Sequence, residues 1–199
     1  MTKFKICGLM KPEDICYVNE AKPDYIGFIL SPGFRRSISR ELAAEMKKNL
    51  SEDILATGVF VDEEIPFILS FAEDGIIDQI QLHGSETDEY ISELKKKTEL
   101  PVIKAFKAGT VTEEELKTNP ADMYIIDSGK GTGKTFDWSL VPRIDKPWLL
   151  AGGITAENAE DAIRRLKATG LDLSSSVETD GYKDREKIIE ITNIVRKEK

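Results

Sequence analysis

Short apolar runs alternate along this chain with longer polar stretches in which apolar residues recur at helical spacing. The runs are Lys3–Cys7, Asp24–Leu30, Leu55–Val61, Ile77–His83, Pro101–Phe106, Met123–Asp127, Pro147–Ala151 and Leu171–Ser174, with starts 21, 31, 22, 24, 22, 24 and 24 residues apart. Each has the length of a strand. Helices are predicted between them. Ser39–Leu50 places Leu42, Met46 and Leu50 on one stripe behind Ser39 as cap, Thr155–Lys167 opens on Thr155 and is followed by Gly170, and Asp184–Lys197 aligns Ile188, Ile191 and Val195. The weakest helix follows the sixth run, near Trp138–Val141, where Pro142 cuts it short. Strands alternating with helices imply parallel pairing. Eight such units predict one (β/α)8 barrel domain over residues 1–199. An open doubly wound sheet, commonly of about five or six strands, is the rival.

Parity within the runs adds chemistry to this frame. Alternate strand residues face opposite sides. One side holds Phe4, Ile6, Ile80, Leu82, Leu171 and Leu173, while the other holds Lys3, Lys5, Cys7, Gln79, Gln81, His83, Asp172 and Ser174. A barrel interior filled only for stability does not need the second set. Polar groups at the carboxyl ends of strands point to a site at the barrel mouth, built from Cys7, His83, Asp127, Asp172 and the loops that follow.

Composition narrows the partners. With 28 Lys+Arg against 36 Asp+Glu and a net charge of −8, the surface disfavours nucleic acid, and local donors must hold any anionic ligand. No window approaches the roughly 18 apolar residues of a membrane span, and the N-terminus lacks a signal-peptide core. Two cysteines, Cys7 and Cys16, fit reduced thiols and a cytoplasmic setting.

Each candidate has a plain alternative beside its chemical one. Cys7 is either a small buried hydrophobe or a thiol whose pKa a cation such as Lys5 lowers, serving as base or nucleophile. Cys16, beside Ile15, is assigned to packing. Asp127 is either a loop cap or an acid/base. His83 is the sole histidine, so a zinc site is disfavoured and a substrate hydrogen bond or a packed imidazole remains. Gly129–Thr135 reads GKGTGKT, but Ser128 stands where a P-loop needs glycine, and a lid over the mouth explains the same letters. Gly152-Gly153 and Ser174-Ser175-Ser176 follow the seventh and eighth runs, where barrels commonly bind phosphate. Arg36, after the second run, can clamp a carboxylate with two parallel hydrogen bonds. Gly84, Gly109 and Gly181 read as turn glycines.

Taken in order, the words KICG at Lys5–Gly8, GFILSP at Gly27–Pro32 with Arg36-Ser-Ile-Ser after it, GVFV at Gly58–Val61, QLHG at Gln81–Gly84, GTGKTFDW at Gly131–Trp138, LAGGI with Asn158, and the segment from Asp172 to Asp184 resemble the phosphoribosylanthranilate isomerases of tryptophan biosynthesis. The resemblance runs over nearly the whole chain. It implies a (β/α)8 barrel that works without metal or cofactor as a monomer or homodimer and rearranges N-(5-phosphoribosyl)anthranilate to 1-(2-carboxyphenylamino)-1-deoxyribulose 5-phosphate. It further implies Asp127 as general acid and Cys7 as general base, with Arg36 on the anthranilate carboxylate. Asp172 and His83 would contact the substrate, and Gly152, Gly153, Ser175 and Ser176 its phosphate. Ser176 stands where the family usually has glycine, a costly exchange of order 1 kcal/mol or more if that position has positive φ. The histidine-pathway sugar isomerase is disfavoured because Cys7 replaces its first aspartate. A non-catalytic phosphosugar-binding barrel and a P-loop nucleotidase complete the alternatives.

Overall fold

The computed structural model describes residues 2–127 and 138–197. Eight parallel strands close into a barrel in chain order: β1 Lys3–Cys7, β2 Tyr25–Ile29, β3 Leu55–Phe60, β4 Gln79–Leu82, β5 Val102–Lys107, β6 Met123–Asp127, β7 Trp148–Ala151 and β8 Gly170–Leu173. The helices are α1 Pro12–Ala21, α2 Arg40–Lys48, α3 Ile65–Glu73, α4 Asp88–Lys95, α5 Glu113–Thr118, α6 Ala159–Leu166 and α7 Arg185–Lys197. Among the described residues, the β6–β7 connection holds the 3-10 turn Trp138–Leu140 and no α helix, in keeping with Pro142. A two-stranded ribbon, β9 Glu178–Thr179 and β10 Tyr182–Lys183, follows β8.

Strand parity sorts the core as the sequence predicts. Phe4, Ile6, Phe28, Ile80, Leu82, Leu171 and Leu173 face outward and pack with helix residues such as Ile15, Met46, Ile68, Leu94, Ile188 and Val195. The opposite faces fill the interior, where Ile103, Ala105, Met123, Ile125, Leu149 and Ala151 form a separate apolar cluster on β5–β7. On the other side of the barrel the interior is polar: Lys5, Thr57, Gln79, Gln81 and Asp172 are all buried. Pairing within the polar half offsets the cost of burying it, as when Gln79 Nε2 donates to Thr57 Oγ1 at 2.9 Å, although the buried Gln81 Oε1 is left without a hydrogen-bond partner among the described residues. The barrel closes where β1 pairs with β8, which sets Lys5 beside Asp172.

Local chemistry explains most element boundaries. Ser39 caps α2 by accepting from the Leu42 N–H at 3.2 Å. Helix α6 departs from the prediction, beginning at Ala159 rather than at Thr155. A turn precedes it, in which the Asn158 side chain accepts from the Thr155 N–H at 2.9 Å and donates to the Gly153 carbonyl at 2.9 Å, while the Thr155 carbonyl accepts from the Ala159 N–H at 3.0 Å. Cys16 also departs from its assignment. On α1 it is exposed while Ile15 and Val18 bury the packing face, because successive helix residues point about 100° apart.

Candidate functional site

The carboxyl ends of the strands surround a cavity of about 510 Å³. Cys7, Arg36, His83, Asp127 and Asp172 all line it. So do Gly152, Gly153, Ser175 and Ser176, so every site residue predicted from sequence meets at one mouth. Phe34 joins them, whereas Ser128 and the GKGTGKT segment read as a lid lie outside the described residues.

Cys7 ends β1 and is buried. Its thiol is pushed up from the ordinary range by that burial and by the Asp172 charge, against the pull of Lys5 and Lys183. The lowering anticipated from Lys5 is therefore present, but desolvation outweighs it. Lys5 Nζ, fully buried, meets both Asp172 oxygens at 3.1 and 3.2 Å. Burial alone would push this ammonium down, but its interactions with Asp172 and Cys7 outweigh it and raise it above the usual lysine range.

Across the mouth, His83 Nε2 lies 3.6 Å from Asp127 Oδ2. Nδ1 of the same ring lies 2.9 Å from Gln81 Nε2. Gln81 Nε2 is a donor, so Nδ1 accepts and a neutral ring carries its proton on Nε2, toward Asp127. A buried ion pair behind the strands fixes this loop. Lys104 Nζ donates to Glu86 at 2.6 Å and to the Gly84 carbonyl at 2.7 Å, and Glu86 accepts the Asp62 and Gly84 amides. Gly84 is needed for close approach rather than for its dihedral angles, since a Cβ there would collide with the Asp62 carboxylate.

The loops after β7 and β8 complete the mouth. Gly152 and Gly153 both have positive φ, 83° and 64°, conformations open to glycine at little cost. Asn158 holds this turn through the Gly153 carbonyl. Ser176 lies in the 3-10 turn Ser175–Val177 and is not among the positive-φ residues, so serine in place of glycine carries no backbone strain here.

Sequence reasoning missed the partners of these groups. Arg36 is held by Glu178, with Nε on Oε1 at 2.7 Å and Nη2 on Oε2 at 2.9 Å. Burial pushes the Glu178 carboxyl up, yet Arg36 and Lys183 overcome this and bring it down to about 2. Lys183 is buried as well, and desolvation lowers its ammonium despite Glu178. Both residues stand in the Asp172–Asp184 segment that carried the resemblance, which was the available signal.

Comparison with known proteins gives a consistent result. The family model for PRAI, N-(5'-phosphoribosyl)anthranilate (PRA) isomerase, matches residues 4–194. The chain is 40% identical over 201 residues to the N-(5'-phosphoribosyl)anthranilate isomerase of Endomicrobium trichonymphae, covering 98% of this chain and 99% of that one. It is similar to the crystal structure of phosphoribosyl anthranilate isomerase from Thermus thermophilus, with TM-score 0.88, 29% identity and 100% coverage of both chains. A phosphoribosyl anthranilate isomerase in complex with reduced 1-(o-carboxyphenylamino)-1-deoxyribulose 5-phosphate matches with TM-score 0.84 and 30% identity, over 99% of this chain and 100% of that one.

Proposed function

This chain belongs to the N-(5'-phosphoribosyl)anthranilate isomerase family, and from that premise we propose how its site carries out the Amadori rearrangement of N-(5-phosphoribosyl)anthranilate to 1-(2-carboxyphenylamino)-1-deoxyribulose 5-phosphate in tryptophan biosynthesis. Asp127 protonates the ribose ring oxygen, and the aminal opens to a Schiff base. Cys7 then takes the C2 proton to give an enolamine, which tautomerises to the ketone. The supporting observation is that a carboxylic acid on β6 and a thiol on β1 line one cavity together with Arg36 and the Gly152–Gly153 and Ser175–Ser176 loops.

The buried thiol suits a base that acts late. In the free site Cys7 holds its proton, because burial disfavours the thiolate. Ring opening places a cationic imine beside it, and that charge offsets the desolvation when the proton must be taken. His83, its Nε2 3.6 Å from Asp127 Oδ2, lines the same mouth beside the acid. Arg36 takes the anthranilate carboxylate, Asp172 the substrate amine or hydroxyls, and the two loops take the phosphate through backbone amides and serine hydroxyls. A small phosphoribosyl compound is the sole partner this scheme needs. It draws on one chain, so a monomer or a homodimer serves, and the free thiols Cys7 and Cys16 suit the cytoplasm in which we place it.

The test is loss of anthranilate-type fluorescence from freshly made substrate. Wild-type protein turns it over, while Cys7→Ser and Asp127→Asn each fall by roughly 10²–10⁴-fold with folding unchanged. Equal rates in all three above the buffer blank overturn the acid/base assignment. Binding of a substrate analogue by wild type without turnover establishes a phosphosugar-binding barrel instead.

A further inference from the structure

Arg36 reaches the cavity as one arm of a charge cluster built on the buried Glu178 and Lys183 rather than as a lone loop side chain. Glu178 receives four hydrogen bonds on its two oxygens: from Arg36 Nε and Nη2, from Arg35 Nη2 at 2.8 Å and from Lys183 Nζ at 2.8 Å. Lys183 Nζ also donates to the Ser174 carbonyl at 3.0 Å, and Ser174 Oγ donates to the Cys7 carbonyl at 3.1 Å. One carboxylate therefore ties the loop after β2 to the loop after β8 and, through Ser174, to the end of β1. The arginine stem has a seat of its own, since a Cβ on Gly8 would stand 2.5 Å from Arg36 Cδ.

A guanidinium is a flat fork of five donors. Glu178 occupies its Nε–Nη2 edge in parallel, which fixes the plane and leaves the Nη1 edge for a ligand. The cluster brings three cations, Arg35, Arg36 and Lys183, to one anion. It is thus locally positive in a chain of net charge −8, the arrangement an anionic ligand requires here. We propose that Glu178, braced by Lys183, is a positioning residue that aims Arg36 and thereby sets the preference for a substrate bearing an aryl carboxylate. This rests on the isomerase reading, with Arg36 as carboxylate donor.

The test compares N-(5-phosphoribosyl)anthranilate with N-(5-phosphoribosyl)aniline, which lacks the carboxylate, in wild type, Glu178→Gln, Glu178→Asp and Arg36→Lys. Glu178→Gln is expected to raise KM for the anthranilate compound about tenfold or more, with kcat little changed and the aniline compound affected less than about twofold. In the Arg36→Lys background the same exchange should no longer change the anthranilate-to-aniline ratio, because the bidentate contact it supports is already gone. An equal loss on both substrates in folded Glu178→Gln overturns the proposal and leaves Glu178 a structural residue. If Glu178→Gln does not fold, Glu178→Asp decides, and an unchanged ratio there overturns it too. A wild type that converts neither compound refutes the isomerase reading itself, an outcome distinct from a working enzyme whose ratio ignores Glu178.

Discussion

At the scale of single residues, Cys7 has the most consequential environment. Burial raises its pKa and Lys5 opposes the rise, so iodoacetamide should alkylate it with a pH midpoint above the ordinary thiol value near 8.5. Removing the opposing charge in Lys5→Met should move that midpoint further up, provided circular dichroism shows the variant folded. A midpoint at or below the ordinary value refutes this account of the site. The residue pattern exposed Cys7 and Lys5 as neighbours on one strand face, because parity needs only adjacent letters. It could not weigh burial against charge, which depends on atoms brought in by β8. Glu178 was hidden for a related reason. It is a bare letter in the Asp172–Asp184 segment, and the arginine that explains it lies 142 residues away.

Among the elements, the turn from β7 into α6 offers the sharpest test. Asn158 holds the Gly153 carbonyl and the Thr155 amide, so Asn158→Ala should loosen the glycine turn. The inhibition constant of inorganic phosphate should rise several-fold, as expected for the loss of hydrogen bonds worth about 0.5–1.5 kcal/mol each. An unchanged constant would separate this turn from phosphate binding. Strands β1 and β6 were legible to the residue, because an apolar run bounded by polar ones needs no distant partner. The start of α6 was not, since Asn158 reads in the sequence as one more polar helix residue until its side chain is seen to reach back to Thr155 and Gly153. Ser39, by contrast, caps α2 as read. The serine at position 176 looked costly only while a positive φ was assumed for it.

For the molecule as a whole, eight evenly spaced runs favoured a closed barrel over an open doubly wound sheet, since both bury the two faces of a parallel sheet but the open fold commonly has about five or six strands, and the pairing of β1 with β8 closes it. The split of the interior into an apolar β5–β7 half and a polar half was legible only in part, through the parity of Lys5, Gln79, Gln81 and Asp172. Acid stability should report the buried charges. Glu178 is brought from an ordinary 4.5 to about 2, so its contribution is complete above the unfolded value and is lost as pH falls through the folded one. Urea midpoints of the wild type should drop between about pH 4.5 and 2 more steeply than those of Glu178→Gln. Parallel slopes would show that the cluster adds nothing to acid resistance. The seam between β1 and β8 bears on how the protein comes into being. Lys5 and Asp172 are separated by 167 residues, so on the ribosome β1 emerges long before the strand that completes its surroundings. A half-made chain holds Cys7 without Asp127 across from it, and its interior lysine stays in water until β8 arrives. Catalytic competence therefore switches on late in synthesis, with the pairing of the first strand to the last.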